Sequence, residues 1–460
     1  MIERRQARAV VCVALLIAAC GGQRTAPART PPAEAARRTQ SSSRPEELHG
    51  TQGPSSARQA EADVAAALAE AARIRELPPK GPVRSVLISR GEMSKKVEES
   101  ILREVPEDVI AAEGDMLIAL GVVPPTFDYV KTTVDLMTAE LAGYYEPADK
   151  TMYLAADLGR EEERATLAHE LVHALQDQHY ELGPILDYRP DASDLQSAVH
   201  DLAEGDAMSA MLDQLLESQG KKATDLPESL IAVQARAAAQ FSGAVKNVPD
   251  ILKRSLIAPY IDGLAFVHFL RRRGGWAEVD RAWQRLPEST EQIIHPEKFL
   301  SHERPLSIAV PEPPPGSKMA LSFHDVLGEE SLGILFQEWL PRKPAAAAAE
   351  HWGGDRVAVF RDGPRVAVAV HVRYDTEEAA SLGFSAARAG VQPSSDPSVA
   401  KGKSVACVER PDRGPFLAAH ARRDVVLVAG PFLVGHDARS SSASDCRAAA
   451  VWAALLLSQQ

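Results

Sequence analysis

The sequence lacks any excess of basic charge: 51 Lys and Arg stand against 63 Asp and Glu, a formal net charge of −12. With few basic clusters as well, that balance argues against nucleic acid as a partner. Long apolar runs are missing too. Beyond the leader, no stretch reaches the length that a membrane-spanning helix needs, and 448–457 is no exception. Cysteine is scarce, with four in 460 residues, and the spacing of the last two, Cys407 and Cys446, fits no zinc motif.

The chain does begin with an export leader. Arg4, Arg5 and Arg8 form a basic region, and 9–19 an apolar core too short to cross a bilayer. It ends in Ile17-Ala18-Ala19-Cys20, which resembles the lipobox of bacterial lipoproteins. The resemblance implies cleavage before Cys20, acylation of that residue, and a lipid-anchored place in the bacterial cell envelope. Gly21 rather than Asp after the cysteine favours the outer membrane or cell surface over the inner membrane. An ordinary secretory signal or a simple membrane anchor is the alternative. The next segment, 20–58, is rich in Pro, Ala, Ser, Thr and Arg without apolar periodicity, so it reads as a disordered tether. With Cys12 in the leader and Cys20 lipidated, Cys407 and Cys446 are the thiols left. A disulfide between them is expected in an oxidising compartment, with two reduced, buried thiols as the alternative.

The stretch that carries chemistry is His169-Glu170-Leu171-Val172-His173, the HExxH signature. On a helix, residues four apart are offset by about 40° and about 6 Å, so both imidazoles can grip one metal. Glu170 then lies beside that metal, placed to take a proton from a water. Glu161, Glu162 and Glu163 suit a helix N-terminus, and Leu167, Leu171, Ala174 and Leu175 supply an apolar face. A solvated amphipathic helix is the bland rival. With thirteen histidines, however, a chance match is expected only roughly a few per cent of the time.

Catalytic zinc takes three protein ligands and a water. Glu204, in Leu202-Ala203-Glu204-Gly205-Asp206-Ala207 on the next long helix, is the leading third ligand. Gly205 and Ala207 are small enough to let the two helices approach closely. His179 stands six residues after His173, but Gln176 lies where a chain reversal would need glycine. A continuing helix rotates that side chain by about 240° and carries it away. His200, one turn before Glu204, suits a supporting role better, and Asp201 and Asp206 complete the field.

Periodicity and punctuation predict helices over 61–76, 92–104, 107–120 and 126–138, then a hairpin from 139–145 and 151–154 directly before the metal helix. Further helices are expected over 193–217, 227–243, 259–273 and 326–339. The last hundred residues read as strands at 357–360, 366–374, 404–408, 415–420 and 425–429 with helices at 377–389 and 444–457, a small α+β unit without a chemical motif.

Ala142-Gly143-Tyr144-Tyr145-Glu146-Pro147, Ala168 to His179 around the HExxH, and Glu204-Gly205-Asp206-Ala207 together resemble a family of little-characterised bacterial gluzincin-type zinc metallopeptidases. Further matches are Pro259-Tyr260-Ile261-Asp262-Gly263, Ser289 to Pro296, Leu327-Gly328-Glu329 and Trp352 to Asp355, and the similarity spans roughly 90–340. Gluzincins of the thermolysin type place Asp four residues after the glutamate ligand, where this chain has Met208. A carboxylate that orients a zinc histidine must therefore come from elsewhere, with Asp201 and Asp206 as candidates.

The expected fold class is α+β: a mainly helical zincin-like metallopeptidase domain with a small hairpin or sheet edge over 59–343, then a smaller α+β domain over 350–460. The expected activity is hydrolysis of a protein or peptide substrate. Zn²⁺ would sit on His169, His173 and Glu204, Glu170 would be the general base, and Tyr260 or His295 would stabilise the oxyanion. For Tyr260 the competing reading is a core tyrosine, and for His295 a turn cap. A non-catalytic zinc-binding envelope scaffold and a zinc hydrolase of non-peptide amides are the alternative functions.

Overall fold

The computed structural model describes residues 54–186, 188–227, 230–231, 248–391, 404–434 and 445–459. The leader, Cys20, most of the 20–58 tether and most of the helix expected over 227–243 lie outside those residues.

The chain is mixed α and β, with two sheets. Helix α1 (Pro54–Arg75) begins inside the segment read as tether, so the ordered chain starts earlier than its composition suggests. Strand β1 (Arg84–Ile88) and helices α2 (Arg90–Glu104), α3 (Glu107–Leu120) and α4 (Tyr129–Glu140) follow. Ser89 caps α2 in a reciprocal capping box with Glu92, and Gly121 ends α3 at φ +81°, a conformation glycine adopts without strain. Strands β2 (Gly143–Glu146) and β3 (Thr151–Ala155) form the expected antiparallel hairpin. β1 adds to it in parallel, which gives the order β1-β3-β2 and leaves β2 at an edge. Sequence reading missed β1, because a lone five-residue strand between proline-rich and helical segments carries too little periodicity.

Helices α5 (Arg160–Tyr180), α6 (Leu182–Leu186) and α7 (Ser193–Glu217) come next, followed by α8 (Asp250–Ala258), a π-helical turn (Pro259–Gly263) and α9 (Leu264–Gly274). α10 (Trp276–Gln284), α11 (Thr290–Ile294) and α12 (Pro296–Ser301) complete the helical part. α7 is its axis: all 16 residues from Ala198 to Asp213 are buried, so the helix is wrapped on every side. Backbone touches backbone where α7 meets the π-turn. A Cβ on Gly205 would lie 2.0 Å from the Gly263 carbonyl oxygen, and one on Gly263 2.0 Å from the Asp201 carbonyl oxygen. The small Gly205 thus admits the π-turn, not the HExxH helix as its sequence position suggested. Ala203 faces the latter.

The second sheet is six-stranded and antiparallel, in the order β4-β5-β6-β9-β8-β7. It comprises β4 (Ala320–Asp325), β5 (Trp352–Asp362), β6 (Arg365–Tyr374), β7 (Val405–Arg410), β8 (Gly414–Ala421) and β9 (Asp424–Leu433), with helices α13 (Gly328–Phe336), α14 (Arg342–Ala349), α15 (Glu377–Val391) and α16 (Cys446–Ser458). The period-two alternation of β5 decides its two faces. Val357 and Val359 pack into the larger core with α13, α14 and α15. Ala358 and Phe360 face the other way, where Ala367, Ala369 and Ala419 leave room for Trp452 of α16. Cys407 and Cys446 are bridged, with Cα atoms 5.9 Å apart, and the bridge ties β7 to the start of α16. β4 belongs to this sheet although it falls within 59–343, and Leu117, Leu120 and Val123 of the α3 region share the same core. The second sheet therefore begins before the expected boundary at 343–350.

Candidate metal centre

His169 and His173 lie one turn apart on α5 and Glu204 comes from α7; all three are buried. Their ligand atoms converge. His169 Nε2 is 3.0 Å from Glu204 Oε2 and 3.1 Å from His173 Nε2, and His173 Nε2 is 3.6 Å from the same carboxylate oxygen. This group can hold one metal ion.

The surrounding hydrogen bonds hold it in that form. Gln176 donates its amide N–H to the Ala203 carbonyl at 3.0 Å, so its Oε1 is the acceptor that faces His173 Nδ1 at 2.8 Å. His173 Nδ1 therefore donates to that oxygen, and Nε2 is the ring nitrogen turned to the centre. The orienting group is an amide three residues after the histidine, in place of the carboxylate expected from Asp201 or Asp206. Asp206 instead binds Arg75 and accepts from Trp283 Nε1 at 2.9 Å. Asp201 lies against Glu330 of α13. His200 Nε2 faces Glu204 Oε1 at 3.2 Å, leaving Oε2 for the centre. Burial alone would raise the Glu204 carboxyl, but His173, His169 and His200 hold it well below the usual carboxylate range.

Glu170 is buried beside the group. Its Oε2 accepts the Tyr145 backbone N–H at 2.9 Å, while Oε1 has no partner. Burial pushes its carboxyl up to about 8, against the pull of His173. Tyr145 also donates its hydroxyl to Asp177 at 2.8 Å, so one residue pins the edge strand β2 to α5 at two points, one turn apart twice over. Tyr145 and Gln176 are the site residues whose roles sequence reasoning missed. Gln176, one helical turn past His173, had a findable signal in its spacing.

Tyr260 sits in the π-turn with its ring centroid 6.2 Å from that of His169, beside the centre. His295 does not join it. Its Nε2 pairs with Glu329 of α13 at 2.9 Å, which ties the start of α12 to α13, and its Nδ1 lies 3.9 Å from Glu297. His179 points away as well: its Nε2 is 2.7 Å from the Pro78 carbonyl.

One other trio converges among the described residues, Glu291, Glu303 and Asp375. Lys298 Nζ already stands among its carboxylates, at 2.6, 2.7 and 3.0 Å.

Residues 319–437, essentially the six-stranded sheet with α13 to α15, match a domain of unknown function (DUF8575). No curated protein and no solved structure matches the chain. The metal-centre helices lie outside the matched stretch.

Proposed function

We propose that this chain is a zinc-dependent metallopeptidase of zincin-like fold, anchored in the bacterial cell envelope through lipid at Cys20. The observation that carries the reading is the convergence of His169, His173 and Glu204. Zinc with ligands at about 2.0–2.1 Å in tetrahedral array separates them by roughly 3.3 Å, and the three separations here are 3.0, 3.1 and 3.6 Å. Two imidazoles and one carboxylate, with a water in the fourth position, are the donor set of catalytic zinc.

When bound, zinc polarises the substrate carbonyl and lowers the pKa of its water toward neutrality. Glu170 Oε1, buried and unpartnered, takes the proton of the attacking water and passes it to the departing amine nitrogen. The Tyr145 N–H bond keeps the Glu170 carboxyl aimed. Tyr260, whose ring lies beside His169, gives a hydroxyl hydrogen bond to the oxygen on which charge develops. β2, an edge strand whose Tyr145 N–H turns toward Glu170, gives an extended peptide a rail beside the base.

Glu170→Gln tests this, because it keeps size and removes the base. Zinc content and fold should persist while peptide cleavage falls by at least about 10²-fold. An unchanged rate contradicts the assignment of the base.

A further inference from the structure

Between α3, α4, the start of α7, α8, α13 and β4 lies a cavity of about 200 Å³. Leu117, Leu120, Leu136, Met137, Leu256 and Leu335 supply its apolar wall. Two polar atoms on that wall, Glu113 Oε2 and Thr133 Oγ1, are buried without a hydrogen-bond partner. The Glu113 carboxyl also takes a hydrogen bond from Tyr129, and burial pushes it up to about 7. Asp325, on the same wall, is occupied by Ser193.

Size and chemistry narrow the occupant. An apolar cavity of about 150 Å³ is enough to hold benzene, so this one has room for a six-membered ring with one or two further heavy atoms. Buried acceptors left unpaired are costly, and a donor on the ligand removes that cost. We propose that the cavity binds a phenol-like ring, an aromatic body seated among the leucines with one O–H donor directed at Glu113 and Thr133.

Such a ring has two sources, a tyrosine side chain of a peptide substrate or a free small phenol. Two elements that line the cavity also carry, or lead directly into, residues of the candidate metal centre. On α7, Ser197 precedes Glu204 by two turns, about 10 Å, and α8 carries Leu256 one turn before Tyr260. A tyrosine one or two residues from the scissile bond reaches that far, since an extended chain advances about 3.3 Å per residue. The substrate source rests on the peptidase reading; binding of the ring does not.

The test titrates the whole protein with 4-methylphenol and with toluene, read by calorimetry, in the parent, Glu113→Leu and Ser255→Phe chains. The phenol should bind at least about 10-fold more tightly than toluene, as a hydrogen bond to a carboxyl group implies. Glu113→Leu should erase that preference and keep ring binding, and Ser255→Phe should block both ligands by filling the space. Glu113→Gln, which retains an acceptor, should keep the preference and serves if the leucine variant does not fold. Failure of both ligands to bind the parent, or equal affinity for the two, overturns the proposal. Peptides that differ only in Tyr or Ala near the cleaved bond then separate the sources. A kcat/KM preference for Tyr that vanishes in Ser255→Phe assigns the substrate side chain, and phenol binding without it assigns a free ligand. Phenol binding by a chain that cleaves no peptide leaves this inference standing and removes the peptidase reading.

Discussion

Two groups of three ligands converge among the described residues, and they differ in what sits between the ligands. At Glu291, Glu303 and Asp375 the attracting cation is a side chain, Lys298, held by all three carboxylates. At His169, His173 and Glu204 no lysine or arginine intrudes among the described residues, and two polar side chains, Gln176 and His200, hold the ligands themselves. Convergence alone therefore does not define a metal centre. What distinguishes the two is whether the protein brings its own counter-charge, and whether the neighbours bind the ligands or neutralise them. Location agrees with that difference. The lysine hub links α11 and α12 to Asp375 after β6, a joint between the helices and the sheet, whereas the histidine group lies between two helices beside the open edge of β2.

The comparison breaks most visibly at a ligand. His169→Ala leaves two ligands, so metal content and peptide cleavage should both fall to background while the far-UV spectrum persists. Retention of stoichiometric metal would remove His169 from the ligand set. Tyr260→Phe is expected to lower kcat by about 10²-fold with metal unchanged, the scale of a lost oxyanion donor. A lower melting temperature with unchanged kcat would make Tyr260 a packing residue instead.

The lysine hub sharpens the comparison from the other side. Lys298→Ala should leave zinc and activity intact and cost about 1–3 kcal/mol by denaturant unfolding, a range reduced because Glu303 and Asp375 are partly exposed. The three carboxylates would then lack a cation, so added calcium should recover part of the loss in this variant and none in the parent. Loss of zinc from Lys298→Ala would merge the two groups into one system.

The smallest effect concerns the Asp201 and Glu330 carboxyls, where α7 meets α13. Burial raises both well above the usual range, and neighbouring Asp262 and Asp194 add to it. The folded chain thus holds more protons than the unfolded one above the ordinary carboxylate pKa. Stability should fall as pH rises from that value through the raised ones. Glu330→Gln removes one carboxyl and keeps a hydrogen-bonding partner for Asp201. Its melting temperature should decline less than the parent's between pH 6 and pH 9, and parallel declines would refute the linkage.

Much of this was legible in the chain. HExxH spacing on a helix is a geometric statement, and it placed His169 and His173 without any tertiary information. Glu204 was reachable because a carboxylate on the following long helix, flanked by small residues, has few rivals, though Gly205 turned out to serve the π-turn. The strands of the second sheet follow from short apolar runs set off by Gly, Pro and charged residues. What remained hidden depends on contacts distant in sequence. β1 exists by pairing with β3, β4 joins a sheet some thirty residues on, and His295 is taken by Glu329. No local pattern records those partners. The π-turn that brings Tyr260 beside His169 is likewise unmarked, apart from Pro259 and Gly263 at its ends.

The most direct test of the central claim is metal analysis with X-ray absorption on the purified full-length protein. The expected result is one zinc per chain, bound by two imidazole nitrogens and carboxylate oxygen at about 2.0–2.2 Å, with one imidazole lost in His173→Ala. A protein that binds no zinc when supplied with it, or whose zinc shell is unchanged by that substitution, contradicts it.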